Sequence, residues 1–232
     1  MADSRMLGAG LVALSAASFG AMAIFARFAF ADGVEVSALL FLRFLIAGAV
    51  MAVVMVVTRR PWPRGRNRMV LVLMGGVGYV GQSLCFFLAL NHASAGLVAL
   101  LLYLYPFLVT LIGVMFLGER MTRLRAAAVL AALLGTGLTI GSGMGGSALG
   151  IALGVAAALI YSVYILVGNR VLREEEPLGA ATVVMLAAAV VFGLGVVLES
   201  PRFPASLAGW SSVLAIALVS TVLAMVGFFA GM

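Results

Sequence analysis

A chain of 232 residues that is 65% hydrophobic and only 9% charged, with a mean hydropathy of +1.25, is far more apolar than a soluble domain. Soluble domains are about half apolar and about a quarter charged, so this composition specifies an integral membrane protein. The net charge of +6 does not point to nucleic acid, because the arginines that supply it sit mostly in short stretches between apolar runs. The single cysteine, Cys85, excludes an internal disulfide and a cysteine-based metal cluster.

A helical span needs about 20 apolar residues to cross a hydrocarbon core of about 30 Å. The first run, 6–30, has Arg5 ahead of it and an Ala21-x-Ala23 pattern like a signal-peptide cleavage site. It is longer than the roughly 7–15 residues of a signal-peptide core, and more runs follow, so it reads as a span. Further runs follow at 35–57, 69–90, 94–117, 124–142, 148–168, 178–198 and 210–232, and the prediction is therefore eight membrane helices. A closed barrel would need alternating segments of about ten residues, and these runs are continuous.

The connections alternate in charge. Arg5, the 58–68 stretch (Arg59, Arg60, Arg64, Arg66, Arg68), the 118–125 stretch (Arg120, Arg123, Arg125) and the pair Arg170 and Arg173 fall on one side. On the other side only Arg202 is basic. The positive-inside rule places the N-terminus in the cytoplasm. Residues 7–90 and 149–232 align without a gap at a constant offset of 142, three spans on three spans. Five spans separate equivalent helices, so the two copies are predicted to run in opposite senses, as in the inverted repeats of many secondary transporters. The division is 1–142 for the first copy and 143–232 for the second. The second copy is expected to be incomplete, stopping after its third helix at the counterpart of Leu90; a natural eight-span protein is the alternative.

Small and polar residues in spans face protein or water, because lipid cannot pair a hydroxyl. Tyr79 and Gln82 share one face of the third span with Gly75, Ser83 and Phe86. Tyr103, Pro106 and Thr110 share a face of the fourth, and Tyr161 and Tyr164 share a face of the sixth with Gly150 and Gly154. These residues are candidates to line a substrate cavity; the alternative is bonding and packing between helices. Pro106 frees a carbonyl and is expected to bend the fourth span. Arg43 is the sharpest candidate. An arginine at that depth costs at least about 2.5–3.5 kcal/mol on insertion scales and needs a partner or a watery cavity. Its counterpart at the 142-residue offset is Met185, so the pseudo-symmetry breaks by one positive charge, which suits a carboxylate or another anionic group. Bonding to helix-end carbonyls, or snorkelling outward, is the other possibility. Arg27 reads as an interfacial anchor.

No Asp or Glu lies deep in a span, and the single histidine, His92, falls in a connection. A nucleophile with its base, or a metal constellation, cannot be assembled, so an enzyme is not expected and no cofactor or metal is implied.

Phe87, Ala89-Leu90, Ser94-Ala95-Gly96, Pro106 and Leu117-Gly118-Glu119, with Ser18-Phe19-Gly20 and Leu42-Arg43-Phe44 before them, resemble the EamA domain of the drug/metabolite transporter superfamily. The resemblance implies an all-α polytopic protein of ten helices in two inverted five-helix copies, of which about eight are present here. It also implies cytoplasmic termini and a central cavity for a small-molecule substrate. Phe19 stands where the family often has Trp. The expected activity is export of small metabolites or amino acids by alternating access across a bacterial inner membrane. The rival is a non-transporting membrane protein such as a sensor or an assembly partner.

Overall fold

The computed structural model describes residues 2–117, 122, 127, 130, 131, 134, 135, 145–171 and 175–231. Among them there are helices and turns but no strand, apart from an isolated bridge between Ala93 and Gly146. Seven helical stretches are long and apolar enough to cross a membrane: Gly8–Ala31, Val36–Val57, Gly65–His92, Ala95–Phe116, Ala148–Val171, Pro177–Glu199 and Leu207–Gly227. Each matches a predicted span to within a few residues. Most of the remaining predicted span, 124–142, and all of Gly118-Glu119 lie outside the described residues.

The helices are α1 (Ala2–Gly20), α2 (Met22–Ala31), α3 (Val36–Val57), α4 (Gly65–Leu73), α5 (Val80–His92), α6 (Ala95–Leu102), α7 (Tyr105–Leu117), α8 (Ala148–Val171), α9 (Pro177–Glu199), α10 (Leu207–Leu214) and α11 (Ala224–Gly231). Between α4 and α5, and again between α10 and α11, the helix widens into a π form, over Met74–Tyr79 and Ala215–Leu223. The Val80 amide reaches the carbonyl of Gly75 five residues back, and the Ala224 amide likewise reaches Val219. The sequence favours these departures. Met74–Tyr79 contains three glycines, which stabilise an α-helix poorly. Ala215–Leu223 combines β-branched residues with Ser220 and Thr221, whose hydroxyls compete for backbone carbonyls.

The chain forms two compact units, residues 1–80 with 171–232 and residues 81–170. In the first, α3 lies along α9 in the most extensive helix contact, and each is flanked by the π segment of the opposite predicted copy. Phe44 stacks on Phe192 with centroids 5.7 Å apart. Gly48 admits the Leu186 side chain, and Gly75 lies so close to Val184 that a Cβ there would be 2.8 Å from its Cα. Two sets of polar contacts tie the ends of the pair. At one end Glu35, before α3, meets Arg202, after α9, at 2.8 Å; at the other Arg60, after α3, meets Glu176, before α9, at 2.7 Å. The start of each helix therefore lies beside the end of the other, and the equivalent helices α3 and α9 run antiparallel. The first and last described spans do the same, with Ser15 Oγ donating to the Ala224 carbonyl and Ser206 Oγ donating to Asp32.

In the second unit α5, α6, α7 and α8 pack through small residues. Gly150 sits against the backbone of His92, and Gly154 receives Leu101. This is the close-approach seam expected of Gly150-x-x-x-Gly154. The fourth span does not simply bend at Pro106. It breaks at Tyr103–Leu104, and Pro106 opens the first turn of α7, where a missing amide costs least.

Candidate functional site

Arg43 lies on α3 and is 2% exposed. Its Nε donates to Thr221 Oγ1 at 3.0 Å, and an Nη donates to the Tyr79 hydroxyl at 3.5 Å. The guanidinium carbon stands 4.8 Å from the centroid of the Phe44 ring, whose edge contact with Tyr79 closes that side. Thr221 Oγ1 donates in turn to the Ile216 carbonyl at 2.9 Å, five residues back. The threonine hydroxyl is therefore used in both senses: its proton goes to the backbone and its lone pair to the arginine. Hydroxyls and an aromatic face thus contribute to satisfying this buried cation.

Tyr79 and Thr221 are counterparts at the 142-residue offset, and each stands in the π segment of its own predicted copy. Arg43 thus holds the two wide helical turns together from a position whose own counterpart, Met185, is a fully buried apolar residue. Thr221 was not among the sequence candidates. The offset that paired Arg43 with Met185 would have found it, read from Tyr79. Ser220 beside it is fully buried, and among the described residues its hydroxyl has no hydrogen-bond partner.

The other sequence candidates belong to the second unit. Gln82 is buried, and its amide oxygen accepts from Ser83 at 3.3 Å. Tyr161 meets Tyr105 edge-on at 5.0 Å and stacks with Tyr164 at 6.1 Å, so the tyrosines of the sixth predicted span do form one aromatic cluster. Tyr105, the pre-proline residue, joins that cluster although no role was expected of it. Ser162 Oγ lies 2.6 Å from the Ala158 carbonyl, to which its one proton is donated, and 3.3 Å from the Tyr105 carbonyl beside the cluster. Thr110 donates to the Pro106 carbonyl at 2.9 Å, using its proton on its own helix. Tyr103 is 63% exposed, and Arg27 is exposed. A cavity of about 680 Å³ opens between α2 and α10, lined by Phe25, Phe28, Asp32, Ser211 and Ser212 among others. It contains none of the residues singled out above.

Among the described residues no group of His, Cys, Asp or Glu is placed to hold a metal ion. A solved crystal structure shares the fold, with a TM-score of 0.70 and 25% identity over 100% of this chain and 79% of that one. No curated protein sequence matches the chain. The EamA-like transporter family matches residues 6–141 and again 148–232, which is nearly the whole chain. With seven apolar helices among the described residues and a family match across both halves, the chain is a multi-pass membrane protein that belongs to the EamA-like transporter family.

Proposed function

We propose that the protein is a secondary transporter that exports small metabolites or amino acids across a bacterial inner membrane by alternating access, with its N-terminus in the cytoplasm. The observation that carries this reading is the family match over two successive segments, 6–141 and 148–232. The antiparallel run of α3 and α9 supports two inverted copies divided near residue 142, because inverted copies must set equivalent helices head to tail. The arginine pattern of the connections supports the orientation.

The substrate carries a carboxylate or comparable anionic group that pairs with Arg43. Tyr79 is half-buried, and its bond to Arg43 is at the long limit of hydrogen bonding. A carboxylate would displace that bond first, gaining an ion pair in place of a long bond to a neutral hydroxyl. In the second unit Gln82, Tyr161 and Tyr164, with Tyr103, Pro106 and Thr110 along the broken span, are path residues able to offer hydroxyl, amide and aromatic contacts.

The test is counterflow in proteoliposomes loaded with a panel of acidic and zwitterionic metabolites. The purified protein is expected to exchange at least one of them, and Arg43→Met to abolish that exchange. Exchange undiminished in Arg43→Met would remove the arginine from the substrate site. Exchange of no panel member by protein shown to be folded would favour a non-transporting role.

A further inference from the structure

The connection between α3 and α4 carries Arg59, Arg60, Arg64, Arg66 and Arg68. It is seated firmly on the start of α9. Arg60 pairs with Glu176 at 2.7 Å, and Asn67 Nδ2 donates to Glu175 at 2.9 Å. Pro63 is buried, and a Cβ on Gly179 would lie 3.0 Å from the Pro61 carbonyl and 3.1 Å from the Pro63 ring. The two prolines fix their own φ and leave the segment little freedom to rearrange. Of the five arginines only Arg60 is used in this seat. Arg59, Arg64, Arg66 and Arg68 are exposed, and among the described residues none of their side chains has an acidic partner. Like charges held close on a fixed frame repel one another, and an anion among them relieves that repulsion.

The surroundings select the kind of anion. The cluster stands where two spans end: Arg59 follows α3 closely, and Arg64 immediately precedes α4. Trp62, exposed between the two prolines, is a residue type that sits at the headgroup level of a bilayer. On α4 the charge passes into an apolar stripe. Arg68 and Met69 and, one turn on, Val72 and Leu73 are exposed and share one side of the helix. Cations at the membrane surface followed by apolar side chains toward the bilayer centre are the complement of a lipid with an anionic head and acyl tails. We infer that this connection and the first two turns of α4 form a docking surface for an anionic phospholipid of the leaflet they face. The phosphate lies among Arg64, Arg66 and Arg68, and the acyl chains run along Met69, Val72 and Leu73. This surface involves neither Arg43 nor any residue of the transport path, so it stands whatever the protein carries.

Trp62 reports the surface directly. The chain has two tryptophans, and Trp210→Phe leaves Trp62 alone. The purified protein is placed in phosphatidylcholine bilayers that contain, at one low mole fraction, either phosphatidylglycerol or phosphatidylcholine brominated near the headgroup end of its acyl chains, since bromine quenches an indole that it touches. Brominated phosphatidylglycerol is expected to quench Trp62 several-fold more effectively. Salt at about 1 M, where screening acts within about 3 Å, should remove most of that preference. Arg64→Gln/Arg66→Gln/Arg68→Gln is expected to abolish the preference and to leave quenching by brominated phosphatidylcholine unchanged, which shows that Trp62 keeps its depth. Arg120→Gln/Arg123→Gln/Arg125→Gln, an equal loss of charge in the other arginine-rich connection, should keep the preference, and so should excess glycerol phosphate. If the first triple variant alters quenching by phosphatidylcholine, its three single variants are compared instead, and each should lower the preference about two-fold or more. Equal quenching by the two lipids in the parent protein overturns the proposal, as does a preference that survives the loss of Arg64, Arg66 and Arg68 or that none of the single variants lowers. A preference lost equally in both triple variants reports net charge and not a site, and one removed by glycerol phosphate reports a site for soluble phosphates; either result also overturns it.

Discussion

An arginine within a membrane span has to be satisfied by its neighbours, because lipid offers nothing to its donors. Arg43 finds a threonine, a tyrosine and the face of a phenylalanine. Its depth in an apolar run made its importance legible from sequence. Its partners were less legible, because Thr221 lies 178 residues away and a threonine in a helix has no distinctive pattern. A hydrogen bond to a charged group contributes about 1.5–3 kcal/mol, and removing the Thr221 hydroxyl takes one such bond from the buried guanidinium. Thr221→Val is therefore expected to destabilise the protein by about that amount in detergent unfolding. Thr221→Val added to Arg43→Met should cost much less than Thr221→Val alone, since the cation that needed the hydroxyl is gone. Equal and additive losses would show that the two residues act independently.

The spans were readable as elements because twenty-residue apolar runs admit little else in a bilayer. The internal form of those spans was not. A π turn has the same composition as the α-helix around it, and only the carbonyl that each amide reaches distinguishes them. Pro106 shows the same limit, since a proline within an apolar run signals that the helix is disturbed but not whether it bends or restarts. At the helix ends, Glu176 has two roles: it pairs with Arg60 at 2.7 Å, and it accepts from the Gly179 amide at 2.7 Å as the cap of α9. Glu176→Ala loses both a cap, worth about 1 kcal/mol, and an exposed ion pair. It is expected to lower thermal stability clearly more than Arg60→Ala, which loses the pair alone; equal effects would argue against the cap. At the opposite end the Ser206 hydroxyl and amide hold the Asp32 carboxyl below its ordinary range. A carboxylate whose folded-state pKa is depressed contributes stability that is complete above its unfolded value, about 3.9. That contribution is lost as the pH falls through the lower folded value. The stability of the wild-type protein should therefore decline over that acidic window by more than that of Asp32→Asn, as measured by unfolding across pH. Parallel pH profiles would contradict the contact.

For the whole molecule, a spacing of spans and an alternation of arginines were legible in the sequence, and how the helices combine was not. The helices α3 and α9, equivalent at the 142-residue offset, pack on each other in one compact unit that draws on both halves of the chain. Packing follows the faces of the helices, which a linear reading does not reveal. The central claim is that the chain contains two copies threaded in opposite senses, with the arginine-rich connections in the cytoplasm. Thr58 and Ser200 test it most directly. They are equivalent at the 142-residue offset, both are exposed, and they follow α3 and α9 respectively. In a Cys85→Ser background, Ser200→Cys should react with a membrane-impermeant maleimide applied to intact cells, and Thr58→Cys should react only after the membrane is opened. Labelling of both positions from the same side would contradict the inverted arrangement, and the reverse pattern would contradict the cytoplasmic N-terminus.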